Sequence, residues 1–254
     1  MKLHYKEYGS GKSLIILHGF LGSLDNWHTL ATRFGKSFNV FAIDQRNHGK
    51  TQHSPAHSIA FMVADLLEFV KEHKLSNISI IGHSMGGKVA MQFALEHPEI
   101  VENLIVVDIA PKHYERGHDA VFKALFAVKL NQLTSRKDAE DAMLPFLPDY
   151  GTRQFLLKNL ERNADGSFQW KMNLPVLYEN YEDMSREIFY NLPFLGRTLF
   201  IKGEKSAYIL KSDDTMIKTL FPNSTLITIA GAGHWVHADK PDDFYETVLN
   251  FIVT

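Results

Sequence analysis

A serine flanked by glycines is the residue in this chain best suited to nucleophilic chemistry. Residues 82–86 read Gly-His-Ser-Met-Gly, with Ser84 at the centre. An apolar, β-branched run precedes them at 78–81, and apolar side chains at helical spacing follow over 89–94. A strand, a sharp turn and a helix, with serine at the apex, lift the hydroxyl clear of a sheet. We therefore predict a nucleophile at Ser84, in a strained backbone with positive φ.

The glycines around the serine indicate how closely the strand and the helix must pack. Gly82 and Gly86 lie two residues before and after Ser84. A side chain at either position would collide as the strand and the helix close together. An ordinary strand–helix turn that happens to contain serine is the alternative, and the flanking patterns argue against it.

Backbone N–H groups beside the serine are the second requirement of this chemistry, because they hold the negative oxygen that forms when a carbonyl is attacked. Met85 opens the helix after Ser84, so its N–H points at the group under attack. The strand predicted at 14–17 runs into His-Gly at 18–19, and the next residue, Phe20, is the expected second donor. A plain strand–helix connection is the alternative for this loop.

Carboxylates follow two other predicted strands. The strand at 103–107 delivers Asp108 to its carboxyl end, the edge where open α/β sheets bind their ligands. An earlier strand delivers Asp44, which precedes Ser84 in the chain. Because the acid that serves such a serine usually follows it, we predict that Asp44 and Arg46 form a pair that braces their loop.

The composition is that of an ordinary globular protein of 254 residues with a net charge of −2. No charged field favours nucleic acid, and no apolar run reaches the length of a membrane span. The chain has no cysteine, which excludes disulfides, thiolate catalysis and cysteine-based metal sites. The first residues lack the apolar stretch of a signal peptide. We predict a cytoplasmic protein whose partner is a small molecule, and neither nucleic acid nor a membrane.

Apolar strands and amphipathic helices alternate along most of the chain, which predicts an α/β fold with a mostly parallel sheet and helices on both faces. From Lys112 to about Asn191 the alternation stops, and helical patterns with many bulky apolar residues replace it. We predict a core formed by 1–111 and 192–254, with an inserted helical lid at 112–191. A helical subdomain whose aromatic residues only bury one another is the alternative.

Over nearly its whole length, the sequence resembles the α/β-hydrolase superfamily. Gly-x-Ser-x-Gly at 82–86, His-Gly at 18–19 and Gly-His at 233–234 occur in the order of that superfamily. The sequence is most similar to a branch of small bacterial carboxylesterases related to mitochondrial α/β-hydrolase-domain proteins. Motifs of that branch are present: Asp-x-Arg-Asn-His-Gly at 44–49, Gly-His-Ser-Met-Gly-Gly-Lys at 82–88 and Val-Asp-Ile-Ala-Pro at 107–111.

The resemblance implies an α/β-hydrolase fold, with Ser84 as nucleophile and His234 as its base. The superfamily places its base directly after a glycine, as His234 follows Gly233, whereas we expect His237 to pack at the final helix. In most of the superfamily the acid stands where this chain has Ser206. A neutral hydroxyl cannot stabilise the imidazolium that forms on the base.

The acid must therefore come from elsewhere in the sheet. The superfamily also uses a second location, one strand nearer the nucleophile, and the resemblance to the carboxylesterase branch implies Asp108 there. Glu204 is the rival, because its side chain is longer, but it stands two positions early in its loop. A site without a true acid is the third alternative.

The sequence thus predicts a serine hydrolase that cleaves carboxylic esters, or acyl thioesters, through an acyl-enzyme on Ser84. The predicted chemistry requires no metal and no organic cofactor. Bulky apolar residues in the 112–191 segment predict an apolar acyl group. The alternatives are a C–C bond hydrolase or lyase of the same fold, and a slow, ligand-sensing receptor that resembles a hydrolase.

Overall fold

The computed structural model describes residues 1–254 and is organised around a seven-stranded sheet. The strands of the chain are β1 (His4–Tyr8), β2 (Ser13–Leu17), β3 (Asn39–Asp44), β4 (Ile78–His83), β5 (Val101–Val107), β6 (Leu160–Arg162), β7 (Phe168–Trp170), β8 (Arg197–Gly203) and β9 (Ser224–Ile229). The main sheet has the order β1-β3-β2-β4-β5-β8-β9, and β6 pairs only with β7. Only β1 runs antiparallel to its neighbour in the main sheet.

Helices connect the strands. They are α1 (His28–Phe34), α2 (Ile59–Glu72), α3 (Met85–Glu96), α4 (Asp119–Ala127), α5 (Arg136–Met143), α6 (Tyr150–Leu157), α7 (Leu174–Glu179), α8 (Tyr181–Ser185), α9 (Asp214–Leu220), α10 (Val236–Asp239) and α11 (Pro241–Val253). None of these helices has both the length and the apolar character that a membrane span requires.

The core lies in two layers, one on each face of the main sheet. Successive residues of a strand point to opposite faces, so apolar runs such as β2 supply both layers. Ile15 and Leu17 join the layer formed with α2 and α3, while Leu14 and Ile16 join the layer formed with α1 and α11. The predicted α/β architecture, a mostly parallel sheet covered on both faces, is confirmed.

The 112–191 segment contains α4 to α8 and the β6–β7 hairpin, and it adds no strand to the main sheet. Most of its buried apolar side chains form a cluster of their own, which includes Phe122, Leu125, Leu157 and Leu177. The segment begins at the edge where the parallel strands finish, because β5 ends just before it, and α8 returns against α3. The function of this segment as a lid stays a prediction.

Candidate active site

Ser84 occupies the turn between β4 and α3 with φ 51° and ψ −116°, a conformation that residues other than glycine rarely adopt. Its N–H donates a 3.0 Å hydrogen bond to the Val107 carbonyl, which ties the turn to the end of β5. A Cβ at Gly86 would lie 2.5 Å from the Leu17 carbonyl oxygen, and one at Gly82 would overlap the backbone of Gly86. β4 and α3 therefore meet at Gly82 as closely as the sequence predicted, whereas Gly86 makes room for the end of β2. Backbone strain is stored at the serine.

Asp108 follows β5, is completely buried and also has a positive φ of 51°. Its Oδ2 lies 2.7 Å from Nδ1 of His234, a residue of the loop after β9 that is 126 positions away in the chain. Its Oδ1 accepts a 3.0 Å hydrogen bond from the Gly203 N–H. Parallel strands end at the same edge of the sheet, and this edge brings the two side chains together.

The loop after β8 supplies a hydroxyl to the acid, and no second carboxylate. Ser206 Oγ donates a short hydrogen bond to Asp108 Oδ2. Glu204 turns away, since its Oε2 accepts a 2.8 Å hydrogen bond from the Gly231 N–H on the exposed side of the next loop. Of the two carboxylates considered from the sequence, the structure therefore brings Asp108 to His234 and leaves Glu204 outside the site.

Two further contacts hold His234. The Tyr208 ring stacks on its imidazole with the ring centroids 3.8 Å apart. His83 Nε2 lies 2.9 Å from the His234 carbonyl oxygen and must donate to it, because a carbonyl only accepts. No hydrogen bond joins His234 to Ser84 in this structure. Contacts of that kind commonly tighten only in a complex with substrate.

Phe20 and Met85 line one cavity together with Ser84. The Phe20 N–H donates no hydrogen bond within the chain. The next residue, Leu21, has a φ of 57°, and its N–H donates to Nε2 of His48 at 3.2 Å. Met85 begins α3, where N–H groups have no partner inside the helix. The arrangement leaves two backbone donors beside the serine.

The loop after β3 braces its surroundings through contacts that the sequence did not predict. Asp44 accepts hydrogen bonds from the backbone N–H groups of Leu24, at 2.8 Å, and Lys50, at 2.9 Å. Arg46 pairs with Asp65 on α2, with 2.8 Å from Nε to Oδ2. The predicted pair between Asp44 and Arg46 is therefore wrong, because the carboxylate caps backbone N–H groups while the guanidinium faces α2.

Burial keeps several histidines around the site neutral. It lowers the pKa of His83 and His48 well below the usual value, and it lowers the pKa of His237 to about 3. His237 stacks on Trp27 with the ring centroids 4.1 Å apart, so it packs in the core as expected. No group of three or more His, Asp or Glu side chains is arranged to hold a metal ion.

Two cavities meet at Ser84. The first has a volume of about 270 Å³ and extends towards α6, where Phe155 and Leu156 line it. The second has a volume of about 330 Å³ and extends along α3 past Lys88. The residues common to both cavities are Phe20, Ser84, Gly117, His118 and Tyr208. A molecule bound at Ser84 therefore has room to extend in two directions.

Some residues that shape the site could not be recognised from the sequence. Tyr208 and His118 belong to no motif, and only the fold brings them to Ser84. Lys88 is part of a motif, but the residues that it contacts are far from it in the chain. Its buried ammonium donates 3.0 Å hydrogen bonds to the carbonyls of Lys112 and Ser185, and a short one to the carbonyl of Arg186.

Comparison with known proteins agrees with this architecture. The family model described as alpha/beta hydrolase fold matches residues 12–241. A solved structure of a "Marine microorganism esterase" is 41% identical and superposes with a TM-score of 0.96, and the match covers 98% of this chain and 99% of that chain.

Curated relatives are similar over almost the whole chain. A "Putative esterase/lipase" of Haemophilus influenzae is 38% identical over 240 residues, which cover 94% of this chain and 82% of the relative. An "sn-1-specific diacylglycerol lipase" of Danio rerio is 38% identical over 254 residues, which cover 96% of this chain and 79% of the relative. The chain therefore belongs to the α/β-hydrolase family, in which it is a hydrolase of the esterase type.

Proposed function

We propose that this protein is a serine hydrolase that cleaves carboxylic esters through an acyl-enzyme on Ser84. The observation that carries the proposal is the 2.7 Å contact between Asp108 Oδ2 and His234 Nδ1, at the edge where Ser84 opens into both cavities. A carboxylate on Nδ1 holds the ring proton there and leaves Nε2 as the acceptor that a serine base needs. The names of the relatives, esterase and esterase/lipase, support the same reaction.

In the first half of the reaction, Ser84 Oγ attacks the ester carbonyl and His234 Nε2 takes its proton. The N–H groups of Phe20 and Met85 stabilise the oxyanion, and Asp108 stabilises the imidazolium. His234 then gives the proton to the leaving alcohol, and the acyl group stays on the serine. In the second half, His234 takes a proton from water, which attacks the acyl-enzyme. His234 then returns the proton to Ser84 Oγ as the acid is released.

We further propose that the 112–191 segment is the lid over this site. It contributes His118, Phe155 and Leu156 to the first cavity, and Tyr181 and Met184 to the second. Closing such a segment over a substrate excludes water and completes the pocket. Its apolar lining favours an apolar acyl group.

Acyl thioesters are the second substrate class, because the same nucleophile and oxyanion donors act on their carbonyl. Oxygen esters are the primary proposal for two reasons. Relatives of this chain are named esterases, and the relative from Danio rerio is named as a lipase of diacylglycerol, an oxygen ester.

The test measures hydrolysis of nitrophenyl esters from acetate to palmitate by the wild-type protein, by Ser84→Ala and by Ser10→Ala, a control at an exposed position. We expect turnover that peaks at one chain length. Ser84→Ala should lose several orders of magnitude in kcat, while Ser10→Ala should keep it. A fluorophosphonate should label the wild type at Ser84, as read by peptide mass.

Turnover that survives Ser84→Ala would contradict the proposed nucleophile. A folded wild-type protein that hydrolyses no ester and no thioester would contradict the proposed function. That result would favour the C–C hydrolase, the lyase or the ligand-sensing receptor.

A further inference from the structure

One polar side chain in the cavities has no part in the mechanism proposed above. His118 stands directly before α4 and lines both cavities that meet at Ser84. Its ring contacts aromatic neighbours, with the centroid of Phe20 at 5.8 Å and that of Tyr181 at 5.2 Å. In a mostly apolar pocket, such a polar group is the kind that fixes the orientation of a ligand.

Tyr181 holds one nitrogen of this ring. The distance from its hydroxyl oxygen to His118 Nδ1 is 2.5 Å. Burial raises the pKa of Tyr181, so its hydroxyl keeps its proton. His118 Nδ1 is the hydrogen-bond partner of this buried hydroxyl, and an O–H proton without an acceptor would be costly, so we assign the phenol proton to the bond with Nδ1.

This assignment leaves the other ring nitrogen as a donor. Burial and the nearby His234 lower the pKa of His118 to about 4, so the ring is neutral at neutral pH. A neutral imidazole that accepts at Nδ1 carries its own proton on Nε2. Nε2 has no hydrogen-bond partner within the chain, and it is not among the polar atoms that are sealed from solvent.

We propose that His118 binds substrate by donating a hydrogen bond from Nε2 to an oxygen that the substrate carries close to its scissile carbonyl. The proposal rests on the proposed function and names its substrate class, which is esters bearing a hydroxyl close to the scissile carbonyl. The position of His118 at the junction of the two cavities, beside Ser84 and Phe20, places this oxygen near the reacting carbonyl. Tyr181 is the positioning residue that orients the ring.

The oxygen acceptor can belong to the alcohol portion or to the acyl portion of the ester, and two pairs of nearly isosteric substrates separate these sources. 2-Hydroxyethyl butanoate and propyl butanoate differ by a hydroxyl in place of a methyl group on the alcohol side. Methyl 3-hydroxybutanoate and methyl 3-methylbutanoate differ in the same way on the acyl side. The measured quantity is the ratio of kcat/KM within each pair.

We expect the wild-type protein to prefer the hydroxyl-bearing ester by about ten-fold in at least one pair, the effect of one well-placed hydrogen bond. His118→Phe keeps the aromatic contacts but removes the donor, so the ratio of kcat/KM within the pair should fall to about one, because the hydroxyl-bearing ester loses more than the alkyl ester. His118→Gln restores a donor and should recover part of the preference. Tyr181→Phe should reduce it, and His113→Phe, at an exposed position of the same segment, should leave it unchanged.

A wild-type ratio near one in both pairs would overturn the proposal, as would an equal loss by His118→Phe on both members of a pair. In either case the esters are still hydrolysed and the proposed function stands. Absence of turnover on all four esters, together with nitrophenyl esters, would instead be a failure of the proposed function, and this proposal would fall with it.

Discussion

The strand ends and the 112–191 segment both line the cavities at Ser84, but their side chains are held in different ways. At the strand ends, Asp108 is completely buried, and Gly203, Ser206 and His234 donate to its two oxygens. The acid is therefore held by hydrogen bonds to both of its oxygens, and an error in its position would leave a buried charge without partners.

The 112–191 segment packs mainly through its own apolar cluster, which also includes Leu21 of the core. It meets the core through the apolar side chains of Met184 and Ile188 and through polar contacts. Lys88 reaches the carbonyls of Lys112 and Ser185, close to the two ends of the segment, and Asn159 donates a 2.7 Å hydrogen bond to the carbonyl of Leu21. Several large apolar side chains of the segment stay exposed: Phe126, Leu144, Phe146, Tyr150, Tyr178 and Phe189.

Under the proposed mechanism, this difference separates the residues that react from the residues that select the substrate. A small displacement of reacting groups costs much of the rate, so these groups lie on buried strand ends with paired polar atoms. Apolar pocket walls tolerate changes of shape, so a segment with a large apolar cluster of its own can vary without disturbing Ser84, Asp108 and His234. Mutations at the strand ends should therefore change the rate, whereas mutations in the 112–191 segment should change its stability or the choice of substrate.

Among these tests, the largest effect on kcat should come from replacing the acid, Asp108. Asp108→Asn leaves the shape intact but removes the charge that stabilises the His234 imidazolium, so kcat should fall by up to ~10⁴-fold. Glu204→Gln makes the same chemical change on an exposed carboxylate and should keep kcat close to that of the wild type. Ester hydrolysis under saturating substrate measures both. The reverse pattern would assign the acid to Glu204.

The next effect tests how the 112–191 segment is tied to the core. Lys88→Met keeps an apolar stem of similar length but leaves the carbonyls of Lys112, Ser185 and Arg186 without their donor. The free energy of unfolding, measured in urea, should fall by about 3 kcal/mol.

Proteolysis gives a second measurement of the same change. Protease cleavage within 112–191 should become faster in Lys88→Met, because the ends of the segment lose their shared contact. Lys123→Met, at an exposed position on α4, is the control and should match the wild type in both measurements. Unchanged stability and unchanged cleavage in Lys88→Met would show that the contacts of Lys88 do not hold the segment.

Acidification should have a smaller effect, which is a loss of stability caused by a buried histidine on the sheet side of the molecule. In the unfolded chain His237 titrates near 6.5, whereas burial lowers its pKa in the folded chain to about 3. Between these values only the unfolded chain binds the proton, so the free energy of unfolding falls as the pH falls. The contribution of His237 is about 2 kcal/mol between pH 7 and pH 5.

His237→Phe keeps a ring against Trp27 and removes the titration. The loss of stability between pH 7 and pH 5 should therefore shrink by about 2 kcal/mol relative to the wild type. His113→Phe, at an exposed position, should leave the pH dependence unchanged. Equal pH dependence in His237→Phe and the wild type would mean that this histidine is not buried as the structure has it.

The smallest effect should come from the hydroxyl that faces the acid. Ser206→Ala removes one donor from Asp108, while Gly203 and His234 remain, so kcat should fall by about ten-fold. Ser206→Thr keeps the hydroxyl and should recover most of the rate, with KM unchanged in both variants. A Ser206→Ala variant with the kcat of the wild type would show that the remaining donors are sufficient.

Much of the site could be predicted from the sequence because the patterns that reveal it lie within short runs of consecutive residues. The β4–turn–α3 unit encodes the strained serine within about a dozen consecutive residues, through strand periodicity, two glycines and helix periodicity. The same local patterns predicted the parallel sheet and the start of the 112–191 segment. The choice of Asp108 needed a family resemblance, because a carboxylate at a strand end has no periodicity that reveals its partner.

Only the tertiary structure decided which side chains from distant loops meet. It placed Ser206 on Asp108, Tyr208 on the His234 ring and Tyr181 on His118, and it separated Arg46 from Asp44. Each of these contacts depends on the order and stagger of the strands and on the path of the 112–191 segment. Local propensity fixes which residues end a strand, whereas packing of the two core layers determines which strand ends become neighbours.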